Sequence, residues 1–384
     1  MVRPERLKWA RESTMLTLED AAKKMGVSAA RLAAAEGGSG SITFRQLEKL
    51  AHACGIPMHI LYSDAPPKEE ELPIDFRSPQ EGGGEFSSGL IKTLRIARER
   101  RDAALDLFGD LDMPRTKLPV LRNDKEIAEY LRGLLCVLEW NHVSTDERKE
   151  LWKGAKALSL TKELVETNLP VLVFEFIIDP KFLRGCSLYS DGLSIVALST
   201  RDKPNARRFT MGHELAHLLM RESGICYPIR GRISNVTERR CNLVAGEALL
   251  PTELLAHDIE EKSHIAIDSL IEYLANRYCL SYSAVAVRLN QFGALSATQL
   301  QQRLQTYAQY FTEERERSSE SEAGPSYHLL QVQRLGPTFT NAILSAVDSD
   351  YLSISQAAHL LQISPSYDNV SKIREKAVSV YGSR

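Results

Sequence analysis

His213-Glu214-Leu215-Ala216-His217 and, downstream, Glu238-Arg239-Arg240-Cys241-Asn242 are the residues whose types and spacing could do chemistry. On a helix, side chains four apart stack on one face with about 5–6 Å between their Cβ atoms, so two imidazoles can grip one tetrahedral metal ion. Glu214 falls about 100° further round the helix, where its carboxylate reaches water beside the ion without displacing a ligand. That sets a base beside a Lewis acid, the arrangement for metal-assisted hydrolysis. A His-x-x-x-His pair can also be a buried structural pair. With nine histidines in 384 residues, however, His-Glu-x-x-His arises by accident in about one chain in a few hundred, which favours the metal reading.

A catalytic zinc usually takes three protein ligands and keeps a fourth position open. The run from Thr237 to Pro251 reads as a helix stopped by its proline, and both Glu238 and Glu247 on it are candidates for the third ligand. Asn242 lies one turn after Glu238, where its amide can accept a hydrogen bond from the outer N–H of a ligating histidine and fix its tautomer. Glu247 has no such neighbour. A solvated helix face is the alternative for either carboxylate, and spacing alone does not decide between them. The elements that must position these groups are a helix over Ala206 to Met220, with Phe209, Leu215, Ala216, Leu218 and Leu219 as its apolar stripe, and a neighbour that can approach at the small Gly212 and Ala216.

Phe209-Thr210-Met211-Gly212-His213-Glu214-Leu215-Ala216-His217-Leu218-Leu219, then Glu238-x-x-Cys241-Asn242-x-x-Ala245-x-x-x-Leu249-Leu250-Pro251, resembles the ImmA/IrrE family of bacterial metallopeptidases. The resemblance implies a gluzincin arrangement in which His213, His217 and Glu238 bind Zn2+, Glu214 is the general base and Asn242 supports the ligands. Cys241 stands where alanine is usual, and Ser199 where asparagine is more typical, which touches substrate contact rather than catalysis. For the oxyanion-stabilising group, Tyr189, Tyr227 and His257 are candidates, each of which could equally be structural.

Composition sets limits. A chain of 384 residues, 43% of them hydrophobic, supports two or three domains with real cores. A net charge of −2 gives no overall bias toward nucleic acid or membrane. There is no run of 18 apolar residues and no apolar signal after Met1, so a cytoplasmic protein without membrane contact is expected. Cys54, Cys136, Cys186, Cys226, Cys241 and Cys279 are scattered without a Cys-x-x-Cys, which argues against a thiolate zinc cage and for reduced, mostly buried thiols.

Residues 1–64 read as a separate unit. Thr17 caps a helical run ending at Gly26, and Ser28 can cap the next, the helix-turn-helix pattern. With Leu32-x-x-x-Glu36-Gly37, the run from Ile42 to Ala51, and Gly55-Ile56-Pro57, residues 5–62 resemble the five-helix Cro/repressor (XRE) class. In the helix that would enter the major groove only Ser28 and Arg31 could contact DNA. Nine basic against seven acidic residues give residues 1–64 a net +2, weak for phosphate binding, so a protein-docking role competes evenly with DNA.

Residues 65–90, rich in Pro, Gly and charge, read as a linker, in which Pro73-Ile74-Asp75-Phe76-Arg77 matches a segment of helix-turn-helix members of ImmA/IrrE. Residues 91–312 read as the metallopeptidase domain with flanking helices. Arg95, Arg98, Arg100 and Arg101 near its start look like a solvated basic face, and strands are expected at 171–178, 186–189 and 195–198. An edge strand could hold an extended peptide by backbone hydrogen bonds. Past Pro251 come paired helices at 267–275 and 283–289, then a solvated break at 313–326 and a helical carboxy-terminal module at 327–384, the first part of which resembles the tail of the long family members.

The expected fold is therefore α+β and mostly helical: an all-α helix-turn-helix domain, a minimal zincin domain with a small three-stranded sheet, and a helical carboxy-terminal region. The expected function is zinc-dependent hydrolysis of a specific partner protein. The family implies a transcriptional repressor or antitoxin as that substrate, in a stress-response, phage or mobile-element circuit, with DNA a further partner of the amino-terminal domain. The rival is a DNA-binding regulator or antitoxin whose metal domain is a scaffold for a toxin or ligand.

Overall fold

A computed structural model describes residues 2–66, 88–110, 117–135, 155–178, 183–221, 224–226, 236–318 and 325–382. The fold is mostly helical α+β, and the chain divides into two compact units, Met1–Ala103 and Ala104–Arg384. Among the described residues no helix is long and apolar enough to cross a membrane. Cys54, Cys186, Cys241 and Cys279 are free thiols.

The first unit is built by capping. Helices α1 (Pro4–Ser13), α2 (Leu18–Met25), α3 (Ala29–Glu36) and α4 (Phe44–Cys54) are followed by a 3-10 turn, Met58–Tyr62. Thr17 and Ser28 accept hydrogen bonds from the backbone N–H groups of Asp20 and Arg31, satisfying donors that each helix start leaves free. Thr43 and Gln46 form a reciprocal capping box. Gly26 and Gly55 close α2 and α4 in the left-handed conformation that glycine adopts without strain. The apolar faces meet in a core that includes Met25, Leu32, Leu50 and Leu61, all fully buried.

Helix α5 (Ser88–Asp110) begins in this unit, and its basic residues are not the solvated face expected. Arg95 donates to the Thr14 hydroxyl at 2.6 Å, the Ser13 hydroxyl at 2.8 Å and the Cys54 carbonyl at 3.0 Å. The last of these lies at the end of α4, where carbonyls lack helical partners and the helix dipole favours a cation. Arg100 and Arg101 are buried. Arginine can do this because its planar group offers five donors on a long apolar stem. The unit thus extends to Ala103, past the expected boundary at 64. Of the expected linker, residues 67–87 lie outside the described residues, and with them Pro73 to Arg77.

The second unit opens with α6 (Asp124–Leu135) and α7 (Ala155–Asn168). Its sheet comprises β1 (Val171–Phe176), β2 (Gly185–Leu188), β3 (Ser194–Ser199) and β4 (Gly224–Cys226) in the order β1-β3-β2-β4. The three-residue β4 is added to the three strands expected. Strands β1 and β3 are parallel, and β2 runs antiparallel to both β3 and β4. Strands β2 and β3 are buried along their whole length, which is why Ile195–Leu198 of β3 is an unbroken apolar run rather than an alternation.

Helix α8 (Pro204–Leu219) lies on β2 and β3, and α9 (Val236–Leu249) packs against α8 and α6. Then follow α10 (Thr252–Glu261), α11 (Ile267–Tyr278), α12 (Tyr282–Phe292) and α13 (Ala297–Ser318). The last runs through Glu313–Ser318, the start of the expected break, because Glu and Arg are good helix formers.

Helices α14 (Tyr327–Leu335), α15 (Pro337–Asp348), α16 (Ile354–Leu361) and α17 (Tyr367–Tyr381) complete the unit. They were expected to stand apart as a module, yet they are joined to the sheet. Phe339 meets Phe174 of β1 edge-on at 5.4 Å between ring centroids. Lys162 of α7, 1% exposed, donates to Glu175 at 3.2 Å and to the Gln333 carbonyl. Glu166 accepts the N–H groups of Val173 and Thr338, both at 2.9 Å, and so pins the start of α15 to β1. Burial pushes its carboxyl up to about 7 against the pull of Lys162 and these donors. Gly336 makes the approach feasible: its φ is +77°, and a Cβ there would lie 2.4 Å from Glu166 Oε1. Gly336→Ala is expected to lose about 1–3 kcal/mol in urea unfolding through strain and overpacking, and an unchanged midpoint would contradict this anchoring.

Candidate metal centre

Close packing of α8 and α9 builds the site. Gly212 faces Leu135 of α6 and Ala245 and Leu249 of α9, and a Cβ there would lie 2.9 Å from Leu135 Cδ1. The neighbour approaches at this small residue, as the sequence suggested. His213 and His217 are 0% and 1% exposed.

The structure brings His213, His217 and Glu238 together. The Nε2 atoms of the two imidazoles are 3.2 Å apart. Glu238 Oε2 lies 3.2 Å from His213 Nε2, and Glu238 Oε1 lies 3.0 Å from His217 Nε2. Asn242 Oδ1 accepts from His213 Nδ1 at 3.1 Å. With the proton held on Nδ1, the Nε2 lone pair of a neutral His213 is left facing the other two groups. Glu247 is elsewhere. Its carboxylate accepts the Thr252 N–H at 2.9 Å and hydroxyl at 2.7 Å and pairs with Arg288, which also holds the Leu250 carbonyl at 2.9 Å. It fastens the turn at Pro251 and does not join the histidines.

The donor set fits a divalent cation. Atoms bonded tetrahedrally to one zinc ion at about 2.0–2.1 Å would lie about 3.3 Å from one another, close to the three separations found here. Charge points the same way. Burial disfavours an ionised Glu238, yet hydrogen bonds from His213 and His217 bring it down to about 2. Burial likewise opposes a charged His217, but Cys241, Glu238 and Glu214 carry it up to about 11. Such a pocket demands positive charge between its imidazoles and its carboxylate, and a metal ion competes with protons for the same lone pairs.

Glu214 is fully buried on the sheet side of α8. Ser187 of β2 donates to its Oε2 at 2.8 Å, whereas Oε1 is buried and has no hydrogen-bond partner among the described residues. Burial raises the carboxyl, partly offset by His213, His217 and Ser187. Gly185 lets β2 approach so closely, since a Cβ there would meet Thr210 Cγ2 at 2.5 Å. Sequence reading missed Ser187. A serine in a four-residue buried strand has no distinctive spacing, and only its place opposite α8 gives it meaning.

The remaining candidates are placed as follows. Ser199 is buried and donates to the Ile178 carbonyl, a structural contact. Tyr189 donates to Asp191 at 2.6 Å and accepts from Arg221 at 3.0 Å. His257 is exposed on α10 beside Asp258. Tyr227 lies outside the described residues. In the first unit Ser28 caps α3, and Arg31 donates to the Ser41 carbonyl at 3.1 and 3.2 Å, so both exposed side chains already have partners within the domain.

Residues 183–290, which contain β2, β3, α8 and α9, match the family model of the M78 peptidases, described as the IrrE N-terminal-like domain. Residues 7–61 match a helix-turn-helix model. No curated protein and no solved structure matches the chain. Ser187→Ala, which strips a buried carboxylate of its donor, is expected to cost about 1–3 kcal/mol in chemical denaturation. Combined with Glu214→Gln, it should cost less than the sum of the two, because both act on one contact; additive losses would refute the coupling.

Proposed function

From a chain that joins an IrrE-like domain of a peptidase family to a helix-turn-helix domain, we propose a regulatory zinc metalloendopeptidase of gluzincin type. The observation that carries this reading is the convergence of two imidazole nitrogens and a carboxylate from separate helices within 3.0–3.2 Å. His213, His217 and Glu238 would hold the ion, with Asn242 orienting His213. When bound, zinc supplies Lewis-acid polarisation of the scissile carbonyl and of the attacking water.

The chain's own residues supply the rest. Glu214 is the general base. Ser187 holds its Oε2, leaving Oε1, which has no hydrogen-bond partner among the described residues, to take a proton from water and later deliver it to the leaving amine. Burial of the carboxyl raises its basicity toward that of a useful base. The surrounding apolar core keeps bulk water from the imidazoles and strengthens each charge interaction.

The substrate class we propose is a specific partner protein, such as a transcriptional repressor or antitoxin, acted on in a stress, phage or mobile-element circuit. The helix-turn-helix domain would bring the peptidase to that partner or to DNA. Its few free polar side chains at the start of α3 favour modest, salt-sensitive DNA affinity.

Glu214→Gln is expected to retain one equivalent of zinc while the new protein termini seen on expressing the wild type disappear. A scaffold protein would instead keep its biological effect with this substitution, so complementation separates the two readings. Asn242→Ala is expected to weaken zinc binding by about 10–100-fold in chelator competition. Glu247→Gln should leave it unchanged, and the reverse pattern would move the third ligand to Glu247.

A further inference from the structure

Helix α10 places His257 and Glu261 one turn apart, with Asp258 next to His257. The ligand atoms of the three lie within 4.8 Å of one another. Such residues usually make an ordinary solvated face, but Asp258 does not fit that description. It is 1% exposed, and its two oxygens are used differently. Oδ2 accepts the Tyr278 hydroxyl at 2.7 Å and faces Arg277 Nε at 3.4 Å. Oδ1 is buried and accepts no hydrogen bond among the described residues; His257 Nδ1 stands off at 3.7 Å, beyond hydrogen-bonding range. A buried carboxylate oxygen without a donor is costly, so its persistence calls for a partner.

Glu261 shows the same division of labour. Its Oε1 pairs with Lys262 at 2.9 Å, which leaves a second oxygen available. Tyr278 and Arg277, by holding one side of Asp258, fix the direction of the other, as outer partners do for metal ligands. We propose that His257 Nδ1, Asp258 Oδ1 and one Glu261 oxygen form a second divalent-metal site, distinct from His213, His217 and Glu238.

The ligand chemistry selects the ion. One imidazole with two carboxylates suits Zn2+, Co2+ or Ni2+, whereas Mg2+ and Ca2+ prefer oxygen throughout. Three protein ligands on a largely exposed helix leave room for water in the remaining positions. Lys262 and Arg277 offset the two carboxylate charges, so this site binds more weakly than the buried centre. An ion here would tie α10, which follows the third-ligand helix, to the end of α11 through Asp258, Tyr278 and Arg277.

The test is equilibrium dialysis of the untagged, metal-stripped full chain against Co2+ or Zn2+, followed by metal analysis. The wild type is expected to take up two ions per chain, and His257→Ala with Glu261→Gln one. His257 is 71% exposed, so its replacement leaves the fold intact. His213→Ala with His217→Ala should also leave one ion, now lost on adding His257→Ala. A wild type that binds a single ion, or an uptake indifferent to His257 and Glu261, overturns the second site. Uptake indifferent to His213 and His217 but lost with His257 would instead overturn the first centre and leave this one standing.

Discussion

Everything at the candidate centre depends on the spacing between α8 and α9. Three electron-rich groups meet within 3.2 Å only because one helix stacks two imidazoles a turn apart and the other delivers Glu238 opposite them. The contact is set by small residues, Gly212 on α8 and Ala245 on α9, against Leu135 and Leu249. Interiors are close-packed, so a single added methyl would have to be absorbed by moving one helix, and the ligand separation would change with it. The apolar core thus has a geometric duty as well as an energetic one.

The supports around this contact divide between elements. Asn242, one turn beyond Glu238, holds His213 from α9, while Ser187 holds Glu214 from the sheet. Glu247, Arg288 and Thr252 secure the turn after α9. Beside the edge strand β1, Lys162, Glu166, Glu175 and Arg207 form a charged cluster that joins α7, β1, α8 and the carboxy-terminal helices. Buried ion pairs contribute little net stability against desolvation, but removing one partner leaves a stranded charge, so such a cluster enforces one arrangement. The carboxy-terminal helices are therefore part of the framework that positions α8.

Much of this was legible in the residues. Helix periodicity located α8 and α9 to within a few positions, and the caps Thr17 and Ser28 stand where the sequence put them. What escaped were contacts made across the fold. Spacing along one helix could not separate Glu238 from Glu247, since only the position of α8 distinguishes the face each occupies. Ser187 carries no local signal. Arg95 read as a solvated cation because hydropathy counts its charge and not the carbonyl and hydroxyls that receive it. Residues 327–384 looked separable because a polar stretch precedes them, while their attachment runs partly through backbone groups, Gln333 O and Thr338 N, that side-chain patterns do not show.

The central claim is the identity of the three ligands, and Cys241, whose thiol helps to hold His217 charged, is the natural rival for a place on the metal. X-ray absorption at the zinc edge, on protein loaded with one equivalent, reads the shell directly. The account predicts two imidazole nitrogens and oxygen neighbours only, at about 2.0–2.1 Å. A sulfur neighbour at about 2.3 Å, or a shell with fewer than two imidazoles, would contradict it.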